Sequence, residues 1–231
     1  MNGIMFPPLL TGLAVAGDPF DVACKAAPNA DPGSVFFSPD SDRFQAAVIL
    51  APETLLAEAI SVSFAVSLAI NDAIGALGPP EVAFHLEWPG AFRVNGAACG
   101  TMRARASTDE TEKEPDWLVI GLDMPMIDAG GDTSGATPDV TTLHAEGCGE
   151  ITVPDLTEAW ARHMMNWLHI YLSDGFAPLH EEWRARAYRL GEEIVSPEAG
   201  TFLGLDERGG MILKQDETTH ILPLTLLLER P

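Results

Sequence analysis

Lysine is nearly absent from this chain: Lys25, Lys113 and Lys214 are its three lysines, and Lys and Arg together number 13 against 34 acidic residues. The resulting net charge of −21 repels polyanions at long range, so neither nucleic acid nor an anionic membrane surface is expected as a partner. Cysteine is equally scarce. Cys24, Cys99 and Cys148 are odd in number and far apart, which gives no disulfide framework and no zinc-ligand spacing and makes a reducing cytoplasm the expected location. No Lys or Arg precedes Lys25, so Met1 to Leu10 lacks the positive n-region of a signal peptide, and Pro7-Pro8 interrupts it. Long hydrophobic runs are missing too: the longest uncharged one, Ala59 to Ile70, is well short of the ~20 residues that cross a bilayer.

Several chemical motifs are also wanting. There is neither a Gly-x-Ser-x-Gly elbow nor a Gly-Lys-Ser/Thr phosphate loop. His180-Glu181-Glu182 begins like a zinc-protease helix, but Arg184 stands where the second His belongs. His163 and His169 lie on different faces of one helix. No metal site is therefore expected.

What the chain does have is apolar material, 46% of 231 residues, sufficient for one sizeable core with a small appendage. Leu9 to Ala16 reads as a strand, and Asp18-Pro19 as an N-cap followed by proline at the first helical position. Ser34 to Phe37 and Phe44 to Leu50 read as strands joined by a short turn. A helix is expected from Pro52-Glu53 to about Leu77, apolar around most of its circumference and hence packed on several sides. Further on, the pattern gives a strand at Trp117 to Leu122, a Gly/Asp/Thr-rich connector from Asp128 to Asp139, a helix from Pro154 to Asp174, and a second helix through Leu179 to Leu190 stopped by Gly191. From Gly200 the pattern changes to short strands: Thr201 to Leu205, Met211 to Lys214, and His220 to Leu228.

The centre of the chain is the stretch from Phe84 to Arg103. An extended segment runs into Trp88-Pro89, a second runs out of it, and Asn95-Gly96 turns the chain into a third. Asn-Gly is the strongest short-range hairpin signal, because both central residues of a type I′ turn need positive φ.

This stretch resembles the centre of the biotin and lipoate protein ligases, in which a Lys-Trp-Pro-Asn-Asp run precedes an Asn-Gly or Asp-Gly turn, a lysine, and a Gly-Ile-Leu strand. Other segments match in order: Gly33 to Phe37 and Gln45 to Pro52 resemble the two strands joined in the family by a Gly-Arg-Gly-Arg loop. Leu118 to Met126 resembles the Gly-x-Gly-x-Asn strand, and Trp183 to Gly191 a late Trp-containing helix. Gly200 to Leu213 resembles a segment of the C-terminal barrel. The resemblance implies an α+β fold in which a class II synthetase-like ligase domain, a mixed sheet packed with helices, spans residues 1–191, and a small SH3-like, β-barrel-like domain spans 192–231. Within the family the chain looks most like a bacterial branch of divergent ligase-like proteins with this short C-terminal domain.

Departures fall where the family's chemistry should be. Such ligases activate a carboxylate with ATP, and both the acid and the departing pyrophosphate are anionic, so the site needs cations and backbone donors. Here the arginine-rich loop has shrunk to Ser38 to Arg43, the lysine before Trp-Pro is Glu87, Asn-Asp is Gly90-Ala91, and the lysine after the turn falls at Ala97 or Ala98. In the Gly-x-Gly-x-Asn strand Gly121 is kept, but Asp123 and Pro125 replace the rest.

The expectation is thus a ligase-like protein lacking ATP-dependent ligase activity and binding a small carboxylic acid or acyl group. Trp88, Pro89, Arg93, Asn95, Gly96, Gly100, Arg103 and Gly121 are the ligand-pocket candidates. Strand alternation puts Arg103 and Arg105 on one face, either as anion ligands or as solvated charges. Biotin, lipoate and ATP are implied as ligands by the resemblance alone. Two alternatives stay open: an acyltransferase using a pre-activated lipoyl, octanoyl or biotinyl group, with Cys99 and His85 as nucleophile and base, or an interaction module that forms a homodimer through exposed sheet edges.

Overall fold

In a computed structural model, which describes residues 4–39, 41–128 and 139–229, the alternating segments of the first half form one sheet. Its strands are β1 (Thr11–Ala14), β2 (Ser34–Phe37), β3 (Arg43–Leu50), β4 (Phe84–Glu87), β5 (Ala91–Val94), β6 (Ala97–Ala106) and β7 (Leu118–Pro125). The spatial order is β1-β2-β3-β7-β6-β5-β4, parallel only between β1 and β2. Mixed pairing with helices on both faces is the α+β architecture expected.

One face carries α1 (Pro19–Ala26). Asp18 caps this helix by accepting a hydrogen bond from the Phe20 amide at 2.8 Å, and Pro19 supplies the preset φ. Phe20, Ala23 and Cys24 bury themselves against Phe36, Ala47, Ile49 and Val119. The opposite face holds the main core, built on α2 (Leu56–Ala59), a 3-10 turn (Ile60–Val62), α3 (Ser63–Leu77) and α4 (Val153–Asp174).

The helix expected from Pro52 therefore begins later, at Leu56, and is interrupted. Its apolar length from Leu56 to Leu77 would match a membrane span, but the fold buries most of it, and Phe64, Leu68 and Ile70 are inaccessible. It is the core helix. Thr152 caps α4 through a hydrogen bond from the Asp155 amide, with proline in the first turn, and Gly175 at φ 79° ends it.

Two further expectations are corrected. Helix α5 (Ala177–Ala185) stops short of Leu190, because Arg186 to Tyr188 pairs with the outer edge of β4: Leu86 N–H donates to Arg186 O at 2.9 Å and Tyr188 N–H to Leu86 O at 2.7 Å. The strand expected from His220 to Leu228 ends at Leu222, since Pro223 removes a ladder donor and a 3-10 turn (Leu224–Leu227) follows.

The C-terminal segment forms a four-stranded sheet, β11-β10-β9-β8, from β8 (Glu193–Ile194), β9 (Gly200–Leu205), β10 (Met211–Gln215) and β11 (Thr218–Leu222). It docks through the β9–β10 turn, where Gly209 packs so closely that a Cβ would lie 3.1 Å from Phe64. The chain then returns to the main sheet, where Leu228 bridges Ala104 and the Glu229 amide donates to Ala104 O at 2.8 Å along the part of β6 that β5 does not reach.

Candidate binding face

The register of the sheet decides which side chains share the α1 side. Gln45, Asp123, Thr101 and Ala91 form one row across β3, β7, β6 and β5, while Ala47, Gly121 and Arg103 form the next. Glu87 continues the first row on β4, and His85 lies beside Arg93. Helix α1 covers this face over β2, β3 and β7, with Phe20 seated over Gly121: a Cβ there would stand 2.6 Å from the Phe20 ring. Beyond the reach of β7, residues 139–141 pair with β6 at Ala98. Most of the connector expected from Asp128 to Asp139 lies outside the described residues.

Each arginine of the face is held by the chain's own carboxylates. Arg93 forms a bidentate ion pair with Glu87, at 2.6 and 3.0 Å, and lies 5.1 Å from the Tyr188 ring centroid. That hydrogen bonding raises the Arg93 pKa above its ordinary value. Arg103 stacks 4.2 Å above the Phe20 ring and bonds Asp18 at 2.6 Å, Asp21 at 3.3 Å, and Glu229 at 2.6 and 3.3 Å. Arg105 meets the same Glu229 carboxylate at 2.9 Å. The Arg103 hydrogen bond holds the Glu229 carboxyl below the usual carboxylate range. Arg43, from the shortened loop, pairs with Asp123 at 2.6 Å. These ion pairs set four arginines against five carboxylates, leaving a surplus of negative charge.

The expected pocket residues do not gather around one cavity. Trp88 is 3% exposed, and its indole N–H donates to Gly209 O at 2.9 Å, which pins the β9–β10 turn to the central hairpin. Pro89 and Gly90 follow in the β4–β5 bend, and a Cβ on Gly90 would lie 2.5 Å from Leu227. Asn95 and Gly96 form the expected turn, at φ 50° and 90°, and the Asn95 side chain bonds the Ala83 amide and Glu146 instead of facing a ligand. Gly100, at φ 130°, allows β6 to approach β7: a Cβ would sit 2.7 Å from Asp123 O. Arg93, Arg103 and Gly121 do reach the α1 face. Arg103 and Arg105 are half-buried and each already pairs with a carboxylate of the chain.

Cys99 and His85 are separated by the sheet. Cys99 is fully buried in the main core with Phe92 and Val94, and burial pushes its thiol up to about 12. His85 lies with Arg93 on the other side. Among the described residues, no cluster of His, Cys, Asp and Glu has the makings of a metal site.

Sequence reasoning missed Phe20 and Glu229 as parts of this face. Phe20 carried a weak signal, as an apolar residue in the first turn of a helix opened by Asp18-Pro19. Glu229 carried none, lying 126 positions from Arg103.

The family model described as the biotin/lipoate A/B protein ligase family matches residues 6–185, and one described as a domain of unknown function matches residues 190–230. A biotin protein ligase-like protein of unknown function from Silicibacter sp. TM1040 is 45% identical, with a TM-score of 0.91 over 98% of this chain and 100% of that one. A biotin–[acetyl-CoA-carboxylase] ligase from Paracoccus denitrificans is 27% identical over 186 residues, 78% of this chain and 77% of the relative. The biotin protein ligase of Aquifex aeolicus shares the fold, with a TM-score of 0.72 at 17% identity, over 94% of this chain and 96% of that one.

Proposed function

Since the chain belongs to the biotin/lipoate A/B protein ligase family, we propose that it uses the family fold to hold a small acyl compound and lacks ATP-dependent ligase activity. The observation that carries this reading is the Glu87–Arg93 ion pair. Glu87 stands where the resemblance calls for the lysine before Trp-Pro, and it also consumes the nearest arginine. A pyrophosphate leaving group needs uncompensated cations or backbone donors placed for its developing charge, and loss of one such donor costs on the order of 100-fold in rate. On this face the arginines are already neutralised.

The same charge surplus bears on the ligand. A free acid would bring a further negative charge to a face where carboxylates outnumber arginines, whereas an amide or ester keeps the acyl chain and drops the charge. Gln45, Thr101 and Ala91 supply a small polar and apolar floor for it. For the Gln45, Thr101 and Ala91 row the reading is therefore a holder of neutral acyl groups. Acyl transfer through Cys99 is disfavoured, because a buried thiol on the far side of the sheet meets neither a base nor the ligand.

Calorimetric titration with octanamide, lipoamide and biotinamide beside their free acids tests this. Binding of an amide with weaker or no binding of the matching acid is expected. Absence of binding by every amide would sink the acyl-holding half of the proposal.

A further inference from the structure

At the other end of the α1 face from Arg43, a cleft of ≈ 420 Å³ opens between the ends of β6 and β7 and the C-terminal segment. Arg105, Glu229 and Asp109 line it together with the apolar Trp117, Leu226 and Leu228. The Glu229 carboxylate joins two guanidinium groups, receiving Arg103 Nε at 2.6 Å and Arg105 Nη2 at 2.9 Å. We propose that Arg103 and Arg105 form a carboxylate-binding site whose resident ligand is Glu229, and that the adjoining cleft takes a small monocarboxylic acid in exchange for it.

Three features support the assignment. First, Arg103 is fixed independently of Glu229, by Asp18 and Asp21 and by the Phe20 ring beneath it, so its Nε stays in position when Glu229 leaves. Second, Glu229 is the one ion-pair partner of Arg105 among the described residues, so its departure leaves a cation to be satisfied. Third, Glu229 is held by a segment that bonds the sheet at Leu228 and at its own amide, which makes it a tethered carboxylate competing by effective concentration and not a core residue. The acid class follows from the walls. Trp117, Leu226 and Leu228 suit an apolar body, while Asp109 in the lining repels a second carboxylate, as do Asp18 and Asp21, which lie outside the lining on Arg103.

The test is chemical rescue of Glu229→Ala in the full chain, read as the thermal midpoint in acetate and in hexanoate against chloride at equal ionic strength. The variant is expected to melt below the wild type and to recover by about 2 °C or more in acetate, further in hexanoate, whereas the wild type, in which the tethered Glu229 competes for the same arginines, gains less than the variant in either acid. Adding Arg103→Met or Arg105→Met should abolish the recovery. Equal midpoints in acid and chloride would overturn the proposal, as would a recovery that survives both arginine substitutions. Should Glu229→Ala fail to fold, Glu229→Gln is read in the same way, its amide being the weaker competitor for the arginines. The result does not depend on whether neutral acyl compounds bind beside Gln45.

Discussion

Replacing Trp88 by Phe isolates one interaction, the indole N–H donated at 2.9 Å to Gly209 O. Trp88 is 3% exposed and Gly209 is buried, so the orphaned carbonyl cannot turn to water. An unsatisfied buried acceptor costs about 1–3 kcal/mol. Shrinking indole to phenyl leaves roughly 40 Å³ of space, which at ~24 cal/mol per Å³ adds about 1 kcal/mol. The sum, about 2–4 kcal/mol, corresponds for a chain of this size to a fall of roughly 5–15 °C in the thermal midpoint. Denaturant unfolding would measure the loss. Hydrogen exchange would locate it, because the amides of Asp206, Gly209 and Gly210 are bonded within the turn that Trp88 holds and should exchange faster. A loss under about 0.5 kcal/mol with unchanged exchange in that turn would refute the role of Trp88 as the clasp between the C-terminal sheet and the central hairpin.

Other perturbations follow from the same geometry. Glu229 has a folded pKa below its unfolded one, so its contribution is full above about 4.5 and is lost as pH falls through the folded value; Glu229→Gln should flatten the acid side of the stability–pH curve. A variant with the same acid slope as wild type would contradict this. Gly121→Ala drives a methyl to within 2.6 Å of the Phe20 ring and should cost about 1–3 kcal/mol, with partial recovery in the Phe20→Leu background, measured by denaturant unfolding. Burial pushes the thiols of Cys99 up to about 12 and Cys24 up to about 11, so a disulfide reagent at pH 8 should label them only at the rate of unfolding. Labelling within seconds in the native state would show that the β6 core is open.

Local signals carried much of the fold. Asn95-Gly96 fixed the hairpin because few other residues accept two successive positive φ values, and Asp18-Pro19 and Pro154 marked helix starts that the structure retains, the first through the Asp18 cap. The errors were long-range. Nothing within Ala187 and its neighbours says that they will leave the helix to pair with Leu86, a residue 101 positions earlier in register. The candidate site was legible only in part. Glu87 announced the altered charge, and its pairing with Arg93 is a diagonal contact across the β4–β5 hairpin. The clamp on Arg103 was hidden, because Asp18, Asp21 and Glu229 converge on it from both ends of the chain.

Adenylation is the step that this chain is proposed to have given up, and pyrophosphate exchange into ATP measures that step alone. With magnesium, and with biotin, lipoate or octanoate in turn, the protein should give no exchange above a protein-free control. Exchange that depends on one of these acids and saturates with it would contradict the account.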